Sequence, residues 1–155
     1  MTGVRQVEVP ASARALTTLA RVDYADAFLV DVGSMRDRDA GYWAREILEG
    51  APLSVRSQLL SGWSAIGLKV RRSSERSVLG WEVRRATPDH ILLGADSRIG
   101  MPGELLFKKD SDALLFATFV QKSNPLAHAV WAVTEPVHLR VVRDILNQAG
   151  RRLRT

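Results

Sequence analysis

The apolar and polar positions of the chain first become regular near residue 24. Residues 24–32, with the sequence YADAFLVDV, are rich in strand-forming side chains, and the polar Asp26 and Asp31 are compatible with alternation between two faces. This pattern predicts a β-strand. Residues 1–21 carry no comparable signal, and the sequence does not decide their structure.

Two helices are predicted next, because the apolar spacing changes to three and four residues. The first covers residues 38–49, with Asp37 as the expected N-cap and Gly50 just past its end. The second follows Pro52, which suits a first helical turn, and ends at Gly67. Their apolar faces consist of Ala40, Trp43, Ala44, Ile47 and Leu48 in the first helix and of Val55, Leu59, Leu60, Trp63 and Ile66 in the second.

From Val78 onward the periodicity changes to two. Leu79, Trp81 and Val83 alternate with small or charged residues, and turn signals then recur at close spacing. Short links between such runs favour antiparallel neighbours. The predicted meander has five strands, one centred on Trp81 and the others at residues 90–96, 104–108, 114–121 and 127–134.

A last helix is predicted after the meander. Thr134 is its expected N-cap, Pro136 lies in its first turn, and Gly150 follows its end. A single helix that follows a meander must bury its apolar stripe against one face of the sheet, which should curve around it. The sequence therefore predicts an α+β fold: a curved antiparallel sheet of about six strands, a two-helix insertion and a long C-terminal helix.

This order of elements is similar to the helix-grip fold of the SRPBCC superfamily, which includes START-related lipid-transfer proteins, aromatase/cyclases and pollen-allergen-like proteins. The similarity in layout covers residues 22–150. At the level of residues, the chain resembles a bacterial domain-of-unknown-function family within or near that superfamily. The matching residues are Asp23-Tyr-Ala-Asp-Ala-Phe28, Gly67-Leu-Lys69, Trp81-Glu-Val-Arg84, Thr118-x-Val120 with Asn124 after it, Trp131, and Glu135-Pro-x-His138. The chain departs from that family at Leu53-Ser54 and at Pro125.

Length and composition limit the class of protein. With 155 residues, the chain has the size of one domain, and we expect a single helix-grip domain over residues 1–155 with a basic tail at 151–155. The absence of cysteine excludes disulfides, thiolate metal sites and a cysteine nucleophile. The longest apolar run, residues 113–120, is far shorter than the roughly 18 residues of a membrane-spanning helix. The N-terminus lacks the apolar region of a secretory signal, so we expect a cytoplasmic protein.

The net charge of +5 raises the question of a nucleic-acid partner. Three of the basic residues, Arg151, Arg152 and Arg154, lie at the C-terminus, where cations suit the end of a helix. A second basic stretch at residues 69–76 is interrupted by serines and a glutamate and contains no aromatic residue for base stacking. A nucleic-acid partner is therefore not expected.

Most catalytic signatures are absent. The sequence from Gly62 to Gly67 is one residue too long for a nucleophile elbow, and neither a phosphate-binding loop nor a dinucleotide motif occurs. The three histidines, His90, His128 and His138, have no metal-ligand spacing. We expect no metal and no cofactor.

The resemblance implies an apolar cavity between the sheet and the last helix, and this directs attention to a few residues. Trp81 and Trp131 lie on predicted strands and are candidate walls of the cavity, although large core residues are the commoner alternative. Thr118 interrupts an apolar strand and could orient a ligand or bond locally. His138 is a candidate ligand contact or general base, with Glu135 available to orient it, or a packing residue.

Arg85 is the last candidate. It shares strand parity with Trp81, so its guanidinium is expected to point inward, either as an anchor for a ligand carboxylate or phenolate or, from the strand end, to reach solvent. A bulge before Arg85 would instead turn it to solvent and bring Glu82 or Arg84 inward.

The function predicted from these residues is binding of a small apolar or amphipathic molecule. A polyketide cyclase/aromatase-like or other lyase-like enzyme is the alternative, and a weak nucleic-acid binder is third. Catalysis is the less favoured of the first two hypotheses, because it requires an acid or base aimed into the cavity and the sequence does not show where these side chains point.

Overall fold

The computed structural model describes residues 3–32, 38–70, 76–110 and 113–154 of the chain. In chain order, its elements are β1 (Val4–Val7), α1 (Ala11–Arg14), β2 (Tyr24–Val30), α2 (Ala40–Leu48), α3 (Leu53–Ala65), β3 (Ser77–Val78), β4 (Trp81–Ala86), β5 (His90–Ala95), β6 (Gly103–Asp110), β7 (Ala113–Val120) and α4 (Pro125–Arg154).

The described strands form a single antiparallel sheet in the order β1-β2-β7-β6-β5-β4-β3. Strands β3 to β7 are consecutive in sequence and form a meander, and β1 and β2 extend the sheet beyond β7. The sheet is open and curved, and the long helix α4 follows it. The predicted α+β, helix-grip architecture is therefore confirmed.

The inner face of the sheet, defined here as the face that packs against α2, α3 and α4, carries the main core. Phe28, Leu93, Phe107 and Phe116 from the strands are buried there. Helix residues such as Trp43 complete the cluster. Alternation along each strand sends every second side chain to this face, which is why the apolar stripe of the helices meets a continuous apolar surface.

The opposite, outer face is covered by the N-terminal segment that the sequence left undecided. Residues 4–7 pair with β2, and residues 11–22 then cross the outer face. A second apolar cluster forms there, consisting of Ala13, Leu16 and Leu19 from the segment and of Leu92, Leu106, Leu115, Ala117 and Phe119 from the sheet. Both faces of the central strands are therefore buried.

The prediction of a strand at residues 127–134 is wrong, because these residues form the first turns of α4. Pro125 lies at the first helical position, where its missing N–H costs nothing, and Asn124 Oδ1 accepts a hydrogen bond from Ala127 N at 2.8 Å. Thr134 is consequently not an N-cap; its hydroxyl donates to Val130 O at 2.7 Å. Pro136 lies inside the helix and not in its first turn.

Two local predictions also need correction. Asp37 lies outside the described residues, and the N-cap of α2 is Asp39, whose carboxylate accepts from Tyr42 N at 2.8 Å. Leu79 is not part of a strand with Trp81: Leu79 and Gly80 both have positive φ, at 46° and 90°, and form the two-residue turn between β3 and β4.

The C-terminal basic residues belong to α4, which continues to Arg154. Arg152 donates a hydrogen bond from Nη2 to Glu46 O in α2 at 2.6 Å, so this end of the helix is tied to the rest of the fold. Within the described ranges no helix is long and apolar enough to cross a membrane.

Candidate ligand cavity

A cavity of about 400 Å³ lies between α3, α4 and the inner face of the sheet. Its wall is mostly apolar, with aliphatic and aromatic side chains from α3, β4, β6, β7 and α4. Val133 and Val137 of α4 contribute to the wall and are also exposed, so the cavity is open to the surface along this helix. A concave, largely apolar space of this size is typical of sites for small molecules.

Aromatic rings form two of its walls. Trp63 of α3 and Trp81 of β4 are in edge-to-face contact, with ring centroids 5.4 Å apart and an interplanar angle of 84°. Trp131 and His138 of α4 lie on the other side with ring centroids 5.3 Å apart. Tyr24 of β2 packs behind Trp131 at 4.8 Å. These large rings restrict the shape of the cavity without filling it.

Buried polar atoms without a partner are concentrated around this cavity. Within the described part of the chain, the fully buried side-chain atoms that lack a hydrogen bond are Trp81 Nε1, Trp131 Nε1, Thr118 Oγ1 and Asp26 Oδ1. The first three belong to residues of the cavity wall, and Asp26 is the register partner of Thr118 on the neighbouring strand. Such atoms cost about 1–3 kcal/mol each when unpaired.

His138 is the only ionisable side chain among the described residues of the cavity wall, and Asp26 contacts it from β2. Asp26 Oδ2 lies 2.9 Å from His138 Nε2 and accepts a hydrogen bond from the Tyr24 hydroxyl at 2.6 Å. Burial, together with the bond to Asp26, raises the pKa of Tyr24 well above its usual range, so the phenol remains a donor.

Strand alternation explains why an aspartate is present in the core. Tyr24, Asp26, Phe28 and Val30 have the same parity on β2 and face inward. Asp26 is only 4% exposed, although carboxylates rarely occupy such positions unless they are paired. Its pairing with Tyr24 and His138 therefore accounts for its burial.

Four of the five candidate site residues are brought together by the structure. Trp81, Thr118, Trp131 and His138 all line the cavity. Trp131 reaches it from α4 and not from a strand, and His138 lies in the interior of that helix instead of its first turn.

Arg85 does not join them, and the prediction that it points inward is wrong. The register shifts between Val83 and Arg85, so that Arg84 is the extra residue of a β-bulge and Arg85 is exposed. Arg84 does not turn toward the cavity either. Its side chain packs over Gly94 and reaches Glu104 on the outer face.

Glu104 is the second buried acid of the described structure and has a different environment. Its side chain is completely buried, and it accepts hydrogen bonds from the hydroxyls of Thr17 and Thr18, from Thr18 N at 2.9 Å and from Arg84 Nη1 at 3.2 Å. Arg84 also contacts Glu82 and Asp96. All these partners lie on the outer face, so this cluster fastens the N-terminal segment and takes no part in the cavity.

Sequence reasoning missed Asp26 and Tyr24 as site residues. The signal was available in the alternation of the first strand, where Asp26 has the parity of Phe28 and not of a solvent-facing residue. The sequence offered Glu135 as a residue that could orient His138, but the carboxylate that contacts the imidazole is Asp26 of β2. No group of three acidic or histidine side chains that could hold a metal ion occurs among the residues described.

Comparison with known proteins finds little beyond remote structural similarity. No protein-family model matches the chain, and no curated protein matches it. Similar solved structures include protein Ms6760 from Mycobacterium smegmatis, with 12% identity over 83% of this chain and 90% of that one and a TM-score of 0.42. They also include CalU16 from Micromonospora echinospora, with 10% identity over 99% of this chain and 92% of that one and a TM-score of 0.35.

Similarities at this level of identity and TM-score support no statement about function. The architecture is established by the sheet order and the helices of the chain itself. Together with the cavity, it defines a helix-grip protein with an apolar, aromatic-walled space between sheet and C-terminal helix.

Proposed function

We propose that this protein binds a small apolar or amphipathic molecule in the cavity between α3, α4 and the inner face of the sheet. The observation that carries the proposal is the cavity of about 400 Å³, whose mostly apolar wall is surrounded by unpartnered buried polar atoms. Apolar area would supply the affinity, and the few polar atoms would fix the orientation. The resemblance in layout to the SRPBCC superfamily supports the same proposal.

The unpartnered atoms also specify the ligand. The indole N–H groups of Trp81 and Trp131 can only donate, so they favour a molecule with hydrogen-bond acceptors such as a carbonyl or ether oxygen. Thr118 Oγ1 can donate or accept. A pure hydrocarbon would leave all of these atoms unpaired and should bind less tightly than an oxygenated molecule of the same size.

Gly62 on α3 offers a direct test of the cavity. It contributes to the cavity wall, and a Cβ added there would meet no heavy atom within 4 Å. Gly62→Leu should therefore obstruct the cavity, while the loss of a glycine from a helix should stabilise the fold by about 0.5–1 kcal/mol. Gly62→Ala provides the matched control, because it gains the same helix propensity and occupies little of the space.

The experiment is a titration of the full-length protein and both variants with anilinonaphthalene sulfonate, followed by fluorescence, with native mass spectrometry of the protein as purified. We expect one equivalent of probe to bind to the wild type and to Gly62→Ala, and at least tenfold weaker binding to Gly62→Leu. Equal binding to all three proteins, or no binding and no copurified molecule, would contradict the proposal.

An enzyme is the second candidate, and the observation that favours it is the contact of His138 with Asp26 beside the cavity. A cyclase-like or other lyase-like reaction requires an acid or base in this position.

A further inference from the structure

We propose that His138 is a general base that removes a proton from a carbon next to a carbonyl group of the molecule bound in the cavity, with Asp26 as its positioning residue. This proposal rests on the proposed binding function and adds a substrate class and a reaction to it. It is carried by three observations: the contact between Asp26 and His138, the position of His138 in the cavity wall, and the unpartnered indole N–H beside it.

The Asp26 carboxylate determines which nitrogen of His138 is basic. Oδ2 lies 2.9 Å from Nε2 and accepts from it, which favours the tautomer with its proton on Nε2. The lone pair is then on Nδ1, whereas the hydrogen bond to Asp26 is on Nε2. Asp26 also stabilises the imidazolium that forms when Nδ1 takes up a proton.

The charges around His138 suit this role. Asp26 and Tyr24 approach it from β2, and Glu135 lies one turn earlier on α4. The wall residues contributed by α3, β4, β6 and β7 have no ionisable side chain. A molecule in the cavity therefore meets one ionisable wall group, in apolar surroundings that strengthen its electrostatic interactions.

Trp131 supplies the complementary donor. Its ring centroid is 5.3 Å from that of His138, and its buried Nε1–H has no partner. When Nδ1 takes the proton, the electron pair of the C–H bond moves onto the carbonyl oxygen, and the resulting enolate oxygen can accept from this N–H. The imidazolium then returns the proton to the same carbon or to a conjugated one. The sequence is balanced without an oxidant, reductant or co-reactant.

The base can be tested before the natural substrate is identified, with 5-nitrobenzisoxazole as an apolar probe. Removal of its ring C–H proton by Nδ1 places the electron pair in a new C≡N bond, and the N–O bond breaks with its pair leaving on the phenolate oxygen. The coloured cyanonitrophenolate reports the rate. Binding of the probe is measured separately, by quenching of tryptophan fluorescence.

We expect the full-length protein to catalyse this elimination and His138→Gln to lose about 100-fold in kcat, the lower range for a positioned base. His128→Gln is the matched control, because His128 is an exposed histidine on the same helix. Gly62→Leu should lose activity through weaker binding, whereas His138→Gln should bind the probe normally. The acidic limb of the pH–rate profile should disappear in His138→Gln.

Asp26→Asn tests the positioning role and could fail to fold, so a second measurement is needed. In wild-type protein, the nitrogen chemical shifts of the neutral His138 ring should show its proton on Nε2, and this measurement requires no variant. In folded Asp26→Asn, kcat should fall at least tenfold with little change in KM. A neutral ring that carries its proton on Nδ1 in the wild type would overturn the proposal.

Different results would contradict the binding function and the general-base role of His138. If the probe binds but the His138→Gln and wild-type rates are equal, the base is wrong and the binding function stands. If neither 5-nitrobenzisoxazole nor anilinonaphthalene sulfonate binds, both are wrong.

Discussion

At the scale of single residues, two neighbouring arginines on β4 have opposite surroundings. Arg84 has a side chain that is 19% exposed and donates to the fully buried carboxylate of Glu104, whereas Arg85 is exposed. A bulge separates these two environments in adjacent residues. Arg85 is therefore a control for Arg84 when the contribution of the Arg84–Glu104 interaction to the free energy of unfolding is measured.

We expect Arg84→Gln to lower the free energy of unfolding by roughly 2–4 kcal/mol, because Glu104 would remain buried with its cationic partner removed. Arg85→Gln should change it by less than about 0.5 kcal/mol. Urea unfolding of both variants measures the difference. Equal effects would show that Glu104 is adequately paired by the threonines alone.

We expect replacement of the buried Thr118 hydroxyl to raise the stability of the fold and to weaken ligand binding. Its hydroxyl is buried without a partner, so Thr118→Val removes an unpaired polar atom at nearly constant volume. The ligand-free protein should gain about 1 kcal/mol of stability. Affinity for an oxygenated ligand found by native mass spectrometry should fall. Loss of more than about 1 kcal/mol in urea unfolding would show that the hydroxyl has a structural partner.

The lowered pKa of Asp23 predicts that the fold loses part of its stability in acid. Its hydrogen bond from Arg21 Nε at 2.7 Å, followed by that from Lys122 N at 2.6 Å, lowers the pKa of Asp23 to about 2. Because the folded pKa lies below the usual value of about 3.9, the stabilisation is complete above that value and is lost as the pH falls toward about 2. Asp23→Asn should destabilise the protein at neutral pH. The urea midpoints of variant and wild type should converge near pH 2, and a constant difference would contradict this origin.

At the scale of elements, α4 carries two prolines in different positions. Pro125 is at the start of the helix, whereas Pro136 lies in its interior, where it removes a helical hydrogen bond and crowds the preceding turn. Since Pro136 is exposed, its replacement costs no packing.

We expect Pro136→Ala to raise the free energy of unfolding by about 1–3 kcal/mol, a large part of the usual cost of an interior proline. Pro125→Ala is the matched control and should be nearly neutral. Thermal and urea unfolding provide the comparison. A destabilised Pro136→Ala protein would indicate that the shape which proline imposes on α4 is required for its packing.

The start of α4 was predicted wrongly, whereas several other elements were predicted correctly. The strands β5, β6 and β7 were predicted from short apolar runs bounded by turn residues, and α2 and α3 from apolar residues spaced three and four apart. The start of α4 was misread as a turn and a strand. The sequence Asn124-Pro125 fits both a turn and a helix N-cap with its first residue, and Val130, Trp131 and Val133 favour strands locally. Tertiary packing decided between the two.

The candidate site was predictable to a similar extent. The positions of the predicted strands and of the last helix identified three candidate site residues, Trp81, Thr118 and His138, and all three line the cavity. Arg85 failed because a one-residue bulge reverses parity and leaves no mark in the sequence. Asp26 was missed because its partner, His138, lies far away in the chain and joins it only when α4 packs across the sheet.

At the scale of the whole molecule, the basic composition does not require a polyanionic partner. The net charge is +5 and the isoelectric point is about 10.2, but several of the arginines already have partners within the fold. Arg21 pairs with Asp23, Arg84 with Glu104, and Arg152 with a main-chain carbonyl of α2. Cations used in this way neutralise few phosphates.

We therefore expect the full-length protein to be released from a DNA column below about 0.15 M salt, as expected for a few weak phosphate contacts. Arg151→Gln, at an exposed position of α4, should change the elution only slightly. Retention at higher salt, with a steep dependence of affinity on salt concentration, would restore nucleic acid as a candidate partner.

The position of β2 in the sheet has a consequence for the order of events during synthesis. Tyr24 of β2 pairs with Val120 of β7, and the N-terminal segment packs on β5, β6 and β7, so β2 and this segment depend on strands that are synthesised after them. Until β7 has emerged, β2 has an unpaired edge and the apolar residues Leu16 and Leu19 have no surface to cover. The nascent chain thus exposes an aggregation-prone strand from the synthesis of β2 until that of β7, and the central part of the sheet can form only then.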